Sequence, residues 1–321
     1  MVIKHKDKDL SKLVGKITWS GSRLQVARRL VFEYVQDSRD TNLPNYPINI
    51  GETIQGYDEN KNLLFQGNVF DVEKDMQSSK VTITAYDNLF ILCKSKTTRK
   101  FVDMTPEAIT AAICAEMGVK TGNILAAGIN VSFIASRKSG YQIIMMAYTE
   151  AAKTTGKKYH PVMNGDALDI IEKGTVIEDY EADDLKNIEN SRYKESIEEM
   201  VNQIMITDEQ GNVTGYKTND EWIKKYSMIQ DVYKSSPKEN TEENVAAMLK
   251  GPERSGSMDL LGDYRVKAPY SIKVKESLFP AQFWIKSDSH TFENGMHFMK
   301  VEAEFENLVN EEKISESEKK V

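Results

Sequence analysis

Residues 28–35 read Arg28-Arg29-Leu30-Val31-Phe32-Glu33-Tyr34-Val35. Leu30, Phe32 and Tyr34 fall on one side, and Arg29, Val31 and Glu33 on the other. This two-residue period marks a strand with one face on a core, although Val31 and Val35 blur the outer face. Upstream, Val14-Gly15-Lys16-Ile17-Thr18-Trp19 ends in the turn Ser20-Gly21-Ser22. Downstream, Pro44 and Pro47 mark a loop. The run 48–57 and the run 63–70 flank the hairpin signal Asp58-Glu59-Asn60-Lys61-Asn62. A last strand pair is split by Asp75-Met76-Gln77-Ser78-Ser79, and in its second member Val81, Ile83 and Ala85 alternate with Thr82, Thr84 and Tyr86. Short strands at this spacing predict an antiparallel sandwich or barrel over 13–92.

The period then changes. Thr105-Pro106-Glu107 starts a helix, with Thr as cap, Pro at the first helical position and Glu at the positive end of the dipole. Ile109, Ala112, Ile113 and Met117 form its stripe, and Gly118 ends it. A second helix is expected over 141–154, stopped by Gly156, and a hairpin over 159–171 around Asn164-Gly165. Beyond a polar stretch the β pattern resumes, with 201–207 and 213–217 flanking Asp208-Glu209-Gln210-Gly211-Asn212. Thr218-Asn219-Asp220-Glu221 and Ser236-Pro237-Lys238-Glu239 read as capping boxes. The second helix should carry Val245, Met248 and Leu249 inward. In the run 297–305, Met299, Val301, Ala303 and Phe305 face one way, and Lys300, Glu302 and Glu304 the other. The tail 310–321 is charged and expected to be disordered. The order is β, α+β, β, and the two β blocks have the look of a diverged duplication.

Composition narrows the function. The chain has 321 residues, a formal net charge of −7 and two cysteines, Cys93 and Cys114. No apolar run approaches a membrane span, and no signal peptide is expected at the start. Two cysteines are too few for a disulfide scaffold. Net acidity argues against a sequence-independent nucleic-acid binder.

Catalytic patterns are absent. Gly156-Lys157-Lys158 follows a helix, with Ala151 and Lys158 where a phosphate loop needs Gly and Ser or Thr. It reads as a helix end. His290 and His297 would lie diagonally on one sheet face, about 7–8 Å apart at Cα, as ordinary sheet-surface histidines, since zinc needs three or four convergent ligands. His5 and His160 stand alone. Cys114 sits in an apolar stripe and reads, with Cys93, as core. Trp19, Trp222 and Trp284 read as core or interface anchors. Nothing selects a catalytic pair among the 49 acidic residues. No catalytic, cofactor or metal residue is assigned, and no cofactor is expected.

Several phrases together resemble one family. They are Ile17-Thr18-Trp19-Ser20-Gly21 with Arg29-Leu30-Val31-Phe32; Ile50-Gly51-Glu52 with Leu64-Phe65-Gln66-Gly67-Asn68-Val69; and Thr84-Ala85-Tyr86-Asp87-Asn88-Leu89-Phe90-Ile91-Leu92. Phe101-Val102-Asp103-Met104-Thr105-Pro106-Glu107 and Lys186-Asn187-Ile188-Glu189-Asn190 follow. The last is Ile285-Lys286-Ser287-Asp288-Ser289-His290-Thr291-Phe292 with Gly295-Met296-His297. Over roughly 13–306 the chain resembles the baseplate hub of contractile phage tails: the late-control D proteins, and more closely the XkdQ/YqbQ type. In one departure, Gly51-Glu52 stands where the family would have Gly-Asp.

The resemblance implies an α+β, mainly β fold, with two tube-type antiparallel β-barrel domains and an α/β insertion between them. The expected division is 1–97 as first barrel, 98–185 as α+β middle domain with strands returning toward that barrel, 186–306 as second barrel and 307–321 as charged tail. The implied role is structural, not enzymatic. A homotrimer would join the six-fold tail tube to the three-fold central spike of a phage or bacteriocin particle assembled in the bacterial cytoplasm. Its partners would be itself, the tube and spike proteins, other baseplate proteins and a tape-measure protein, with no membrane and no specific nucleic acid. The alternative is a tail-associated cell-wall hydrolase or wall-binding protein. In a ring, polar strand faces such as Thr82, Thr84, Glu302 and Glu304 are the expected lining of the lumen.

Overall fold

A computed structural model describes residues 1–36, 45–75, 77–236, 241–315 and 317–319. The expectations placed on Pro44, Met76 and Pro237-Lys238-Glu239 lie outside the described residues. Contacts divide the chain into two compact units, Met1–Ser191 with Ser257–Val321, and Arg192–Gly256.

The first β block holds β1 (Val2–His5), β2 (Lys8–Asp9), β3 (Val14–Ser22), β4 (Arg29–Val35), β5 (Thr53–Tyr57), β6 (Leu63–Asp75) and β7 (Lys80–Asp87). Their order across the sheet is β3-β4-β7-β6-β5-β1-β2. The alternation that predicts the strands also sets their register. Leu30, Phe32 and Tyr34 lie opposite Ala85, Ile83 and Val81, and all six are buried with Trp19, Ile54 and Phe65 in one core. Each large apolar side chain contributes about 1.5–3 kcal/mol on burial. A one-residue slip would put Arg29 and Glu33 into that core instead. At the Gly51-Glu52 departure the turn is kept: Glu52 N–H donates to Asn49 O at 3.2 Å, with Gly51 at φ +85°, as the third position of a type II turn requires.

The α/β segment follows as α1 (Leu89–Lys94), β8 (Lys96–Met104), α2 (Pro106–Met117), β9 (Lys120–Ile124), β10 (Val131–Ser139), α3 (Gly140–Thr155), β11 (Tyr159–Asn164) and β12 (Ala167–Glu172). Helix α2 starts and stops where the sequence places it, with the Thr105 side chain accepting from Ala108 N–H and Gly118 at φ +69°. Its inward residues are Ile109, Thr110, Ile113 and Cys114; Ala112 is exposed. Helix α3 begins at Gly140 behind a Ser139–Gln142 capping box. The following hairpin turns on Gly165-Asp166, because Asn164 itself pairs with Ala167. Strand β12 pairs with β9 and gives Leu168 and Ile170 to the core under α2 and α3. The hairpin meets the first β block through the bridge Phe65–Gly165.

The chain continues through β13 (Val176–Asp183) and β14 (Ile188–Ser196) into the smaller unit, which holds β15 (Gln203–Thr207), β16 (Val213–Thr218), α4 (Asp220–Tyr226), β17 (Gln230–Lys234) and α5 (Thr241–Met248). Its sheet has the order β16-β15-β17. Ile204 and Val245 are buried, and Trp222 rests on Gly251, where any Cβ would strike the indole. Helix α4 is capped by Asn219, whose side chain accepts from Trp222 N–H. The expected Thr218 box does not form, because Thr218 is still paired with Gln203 in the sheet.

The chain returns through β18 (Glu253–Leu261), β19 (Ser271–Lys275), β20 (Gln282–Glu293) and β21 (Met296–Glu304). The order β14-β18-β21-β20-β19 repeats β3-β4-β7-β6-β5 strand for strand in chain order. The repeat extends to irregularities. The β6–β7 register shifts between Val69 and Asp71, and the β20–β21 register between Ile285 and Ser287. Just before each bulge, the strand's N–H bonds to the residue preceding its other neighbour: Val69 to Glu52 O and Ile285 to Tyr270 O, both at 2.9 Å. The hairpin tip Asn294-Gly295 has φ +52° and +76°, the left-handed pair of a two-residue turn.

The described part of the tail is ordered, against expectation. Glu312 N–H donates to Thr149 Oγ1 at 3.2 Å, Ile314 enters the core under α3, Ile134 N–H donates to Glu318 O, and Lys138 pairs with Glu318 at 3.1 Å. Composition gave too little apolar content for an independent fold, but one isoleucine and a few polar bonds suffice on a surface already formed. Removing residues 307–321 should raise amide exchange rates in α3 and β10 at least tenfold while leaving β3, β4 and β7 unchanged. Hydrogen-exchange mass spectrometry checks this, and equal rates throughout would contradict it.

Candidate functional site

The two β blocks meet where β3 pairs with the far half of β20, in a register running from Ser287–Ser22 to Glu293–Lys16. On one face the junction is lined by Thr18, Ser20 and Ser22 opposite Thr291, Ser289 and Ser287. On the other, Trp19 lies opposite His290 and Ile17 opposite Phe292.

This inner face carries buried charge. Arg28, just before β4, forms a two-pronged ion pair with Asp288 through both terminal nitrogens, one at 3.0 Å. Asp288 also accepts from Ala268 N–H at 2.7 Å. The guanidinium lies 4.1 Å over the Trp19 ring, a cation–π contact. Burial raises the Asp288 carboxyl, but Arg28 and then the His290 bond outweigh it, and the group stays below the usual carboxylate range. Asp87 is buried too, accepting from Arg28 N–H at 3.0 Å and Leu89 N–H at 3.1 Å. Among the described residues no cation lies at bonding distance from it, and burial pushes it up to about 7. Burial, and then Arg28, lower Lys267 to about 8.

His290 and His297 are not surface histidines. His290 is fully buried, with Nε2 2.9 Å from Val266 O and Nδ1 2.9 Å from His297 Nε2. A carbonyl only accepts, so His290 Nε2 carries a proton, and one further proton lies between His290 Nδ1 and His297 Nε2. Burial, and then His290, hold His297 well below its ordinary range. No group of three or more metal-ligating side chains occurs among the described residues.

A second buried cluster ties the end of β21 to the α/β segment. Glu304 pairs with Lys173 and, at 2.8 Å, with Arg23. Arg23 Nη1 donates to Asn310 Oδ1 at 3.0 Å. Burial, and then Lys173, lower His160 to about 3. Glu304 therefore does not face a lumen as expected. Ala303 keeps the inward phase of Met299 and Val301, and Glu304, on the opposite face, is buried under Lys173 and Arg23. Thr84 is buried as well, whereas Thr82 is partly buried and Glu302 exposed. Cys114 is core and Cys93 half-buried, with burial raising both thiols to about 11. Lys157 pairs with Glu172 at 2.9 Å, and Lys158 donates to Asn307 O, at a helix end rather than a phosphate loop. Sequence reading missed the Arg28–Asp288 pair, since its partners stand 260 positions apart.

A family model described as YqbQ-like matches residues 17–304. The chain belongs to the YqbQ-like family. It is 22% identical over 313 residues to the uncharacterized protein YqbQ of Bacillus subtilis strain 168, covering 94% of each chain. Among solved structures it is similar to the 43 kDa tail protein of prophage MuSo2 from Shewanella oneidensis, with 12% identity, a TM-score of 0.68 and coverage of 94% and 97%. It is also similar to an Escherichia coli type VI secretion component described as resembling the T4 tail proteins gp27 and gp5. That match has 9% identity, a TM-score of 0.57 and coverage of 98% and 80%. At these identities the likeness establishes a shared fold. It is the mainly β fold, with an α/β segment between β blocks, that the YqbQ-like resemblance implies.

Two predictions follow from the junction. Arg28→Ala strands the Asp288 carboxylate and should cost about 3–5 kcal/mol, while Arg28→Met with Asp288→Leu costs less; denaturant titration of both variants checks the difference. The second concerns pH. His160 and His297 stay neutral when folded and take protons on unfolding below their ordinary 6.5, so stability falls as pH drops from 6.5 toward 3. Asp87 acts oppositely: the folded state holds its proton between 3.8 and about 7, so its contribution falls as pH rises there. Asp87→Asn should therefore steepen the loss of melting temperature between pH 6.5 and 4.5. An unchanged slope would contradict the assignment.

Proposed function

We propose that the protein is a structural baseplate hub of a contractile tail, a homotrimer that adapts a six-fold tube to a three-fold spike. The observation carrying this reading is the repeat of one strand order in both β blocks of a chain that shares its full-length fold with tail proteins. Two like blocks per chain, in three copies, present six similar surfaces to a hexameric ring and three identical ones to a trimeric spike. In this reading 1–97 and 186–306 act as the tube-type barrel domains, 98–185 as the segment between them and 307–321 as its clasp. The partners are a tube protein, a spike protein, other baseplate proteins and a tape-measure protein. The particle is a virion or bacteriocin tail assembled in the host cytoplasm. Thr82 and Glu302 remain the polar face offered to a lumen, where acidic or neutral groups let a polyanion slide.

The role is mechanical rather than catalytic. Glu59 and Glu293 line one cleft of about 290 Å³ beside His297. The Tyr264 hydroxyl, 2.7 Å from Glu59, lowers that carboxyl, so it is held as an anion rather than as the protonated acid of a hydrolase. The test is the mass of the particle the chain forms with the tube and spike proteins of its own gene cluster. Three copies per complex are expected. A complex holding one or six copies would overturn the adaptor reading.

A further inference from the structure

Three hydrogen-bond donors around the Trp19 ring have no acceptor among the described residues. The first is the indole itself: Trp19 is 1% exposed, and its Nε1 is buried without a partner. The second is Arg28 Nε, also buried without a partner, on a guanidinium 4.1 Å from the centre of the Trp19 ring. Both terminal nitrogens of that guanidinium are committed to Asp288, which leaves the Nε edge over. Gly21 lets the group lie there, since any Cβ would strike it. The third is the Lys267 amine, 6.0 Å from the same ring centre and without ion pair or hydrogen bond among the described residues. The carboxylates whose charge reaches Lys267 are Asp288, Asp169 and Asp87, and each is bonded elsewhere. Asp288 accepts from Arg28 and Ala268 N–H, and Asp169 from Asn123 N–H and the Asn164 amide. Asp87 accepts from the backbone N–H groups of Arg28 and Leu89. Two neighbouring cations therefore share one directly paired carboxylate.

We propose that Trp19 Nε1, Arg28 Nε and Lys267 Nζ are the donor set of a site for one small spherical anion, with chloride as the type, at the junction of the two β blocks. The chemistry selects the class. All three groups only donate. A water molecule among them would still have to place its own two hydrogens on acceptors. An ion without hydrogens accepts from every side and balances the second cation. Carboxylate and phosphate are gripped by the forked N–H pair of a guanidinium, and here Asp288 occupies that fork. What remains is one N–H from each of three different side chains, which suits a sphere. Trp19 and Arg28 belong to the first block, and Lys267 to the connection 262–270 ahead of β19 in the second. The ion thus bridges the blocks beside the Arg28–Asp288 pair. An ion that binds the folded junction and not the unfolded chain stabilises the fold increasingly with its concentration.

The experiment uses the full chain, with bromide and chloride as probes. Crystals grown in sodium bromide should show an anomalous peak within hydrogen-bond reach of the three nitrogens. Ordered water there, without anomalous signal at saturating bromide, overturns the site. In solution, the melting temperature is followed as chloride replaces gluconate, an anion too large to enter, at constant ionic strength. A saturable rise is expected for the wild type. Lys267→Met should weaken the apparent chloride affinity at least tenfold, and Lys267→Arg should keep it within threefold. Trp19→Phe, which keeps a ring and removes the N–H, should weaken it at least threefold. Lys267 is partly exposed, so its variants keep the test open should Trp19→Phe fail to fold. No rise in the wild type overturns the site. A rise with the same midpoint in wild type and Lys267→Met also overturns it, because it then reports a general salt effect. The measurement needs no partner protein, so its failure leaves the adaptor reading standing, and a failure of that reading leaves the ion site standing.

Discussion

The larger unit depends on one strand pairing, β3 against the far half of β20, and on the ion pair beneath it. Without that pairing, the two β blocks are separate sheets joined only through the α/β segment. With it, they form a continuous surface across which Trp19 stacks on His290 at 5.2 Å between ring centres. The Arg28–Asp288 pair lies directly under this seam. Taking both charges out of water is costly, and their mutual attraction repays it only when the geometry is good and the remaining lone pairs are used. Here two guanidinium nitrogens, a backbone N–H and the His290 ring, 3.4 Å away, meet one carboxylate. A shift of one residue along the seam would leave those charges unpaired, so the network acts as a register lock more than as a source of stability.

The same logic explains the buried polar groups around it. His290 and His297 form a hydrogen-bond chain that ends on the Val266 carbonyl. Asp87 accepts two backbone N–H groups, and burial pushes its carboxyl up. Around the Glu304 cluster, Lys173 and Arg23 fasten the α/β segment and the final residues to the end of β21. The middle segment is thereby held to both blocks by charge as well as by chain connectivity.

The duplicated topology gives the fold its mechanical sense. Two blocks with one strand order and matching bulges give one chain two similar surfaces. Their differences fall where the blocks have different neighbours. The first block keeps a tight β3–β4 connection, whereas the equivalent β14–β18 connection is opened to carry the smaller unit. The second block buries polar groups at its seam, at Asp288 and His290, where the first carries Val72 and Lys74.

The sequence by itself determined the strands β3 to β7, the α2 cap and stop, and the β, α+β, β order. Alternation and capping are local, and Leu30, Phe32 and Tyr34 or Thr105 and Pro106 carry their instructions within a few residues. Their phrases, taken in order, also sufficed to name the family resemblance. Only the tertiary structure decided that β12 also pairs with β9 and β3 with β20, because such partners are chosen by surfaces distant in the chain. It also buried Glu304 under Lys173 and Arg23, and Thr84, on the outward phase of β7, since what covers a strand's polar face is invisible to a two-residue period. It buried His290 through Trp19, a residue 271 positions away, and it ordered the acidic tail on a surface that exists only once α3 has docked.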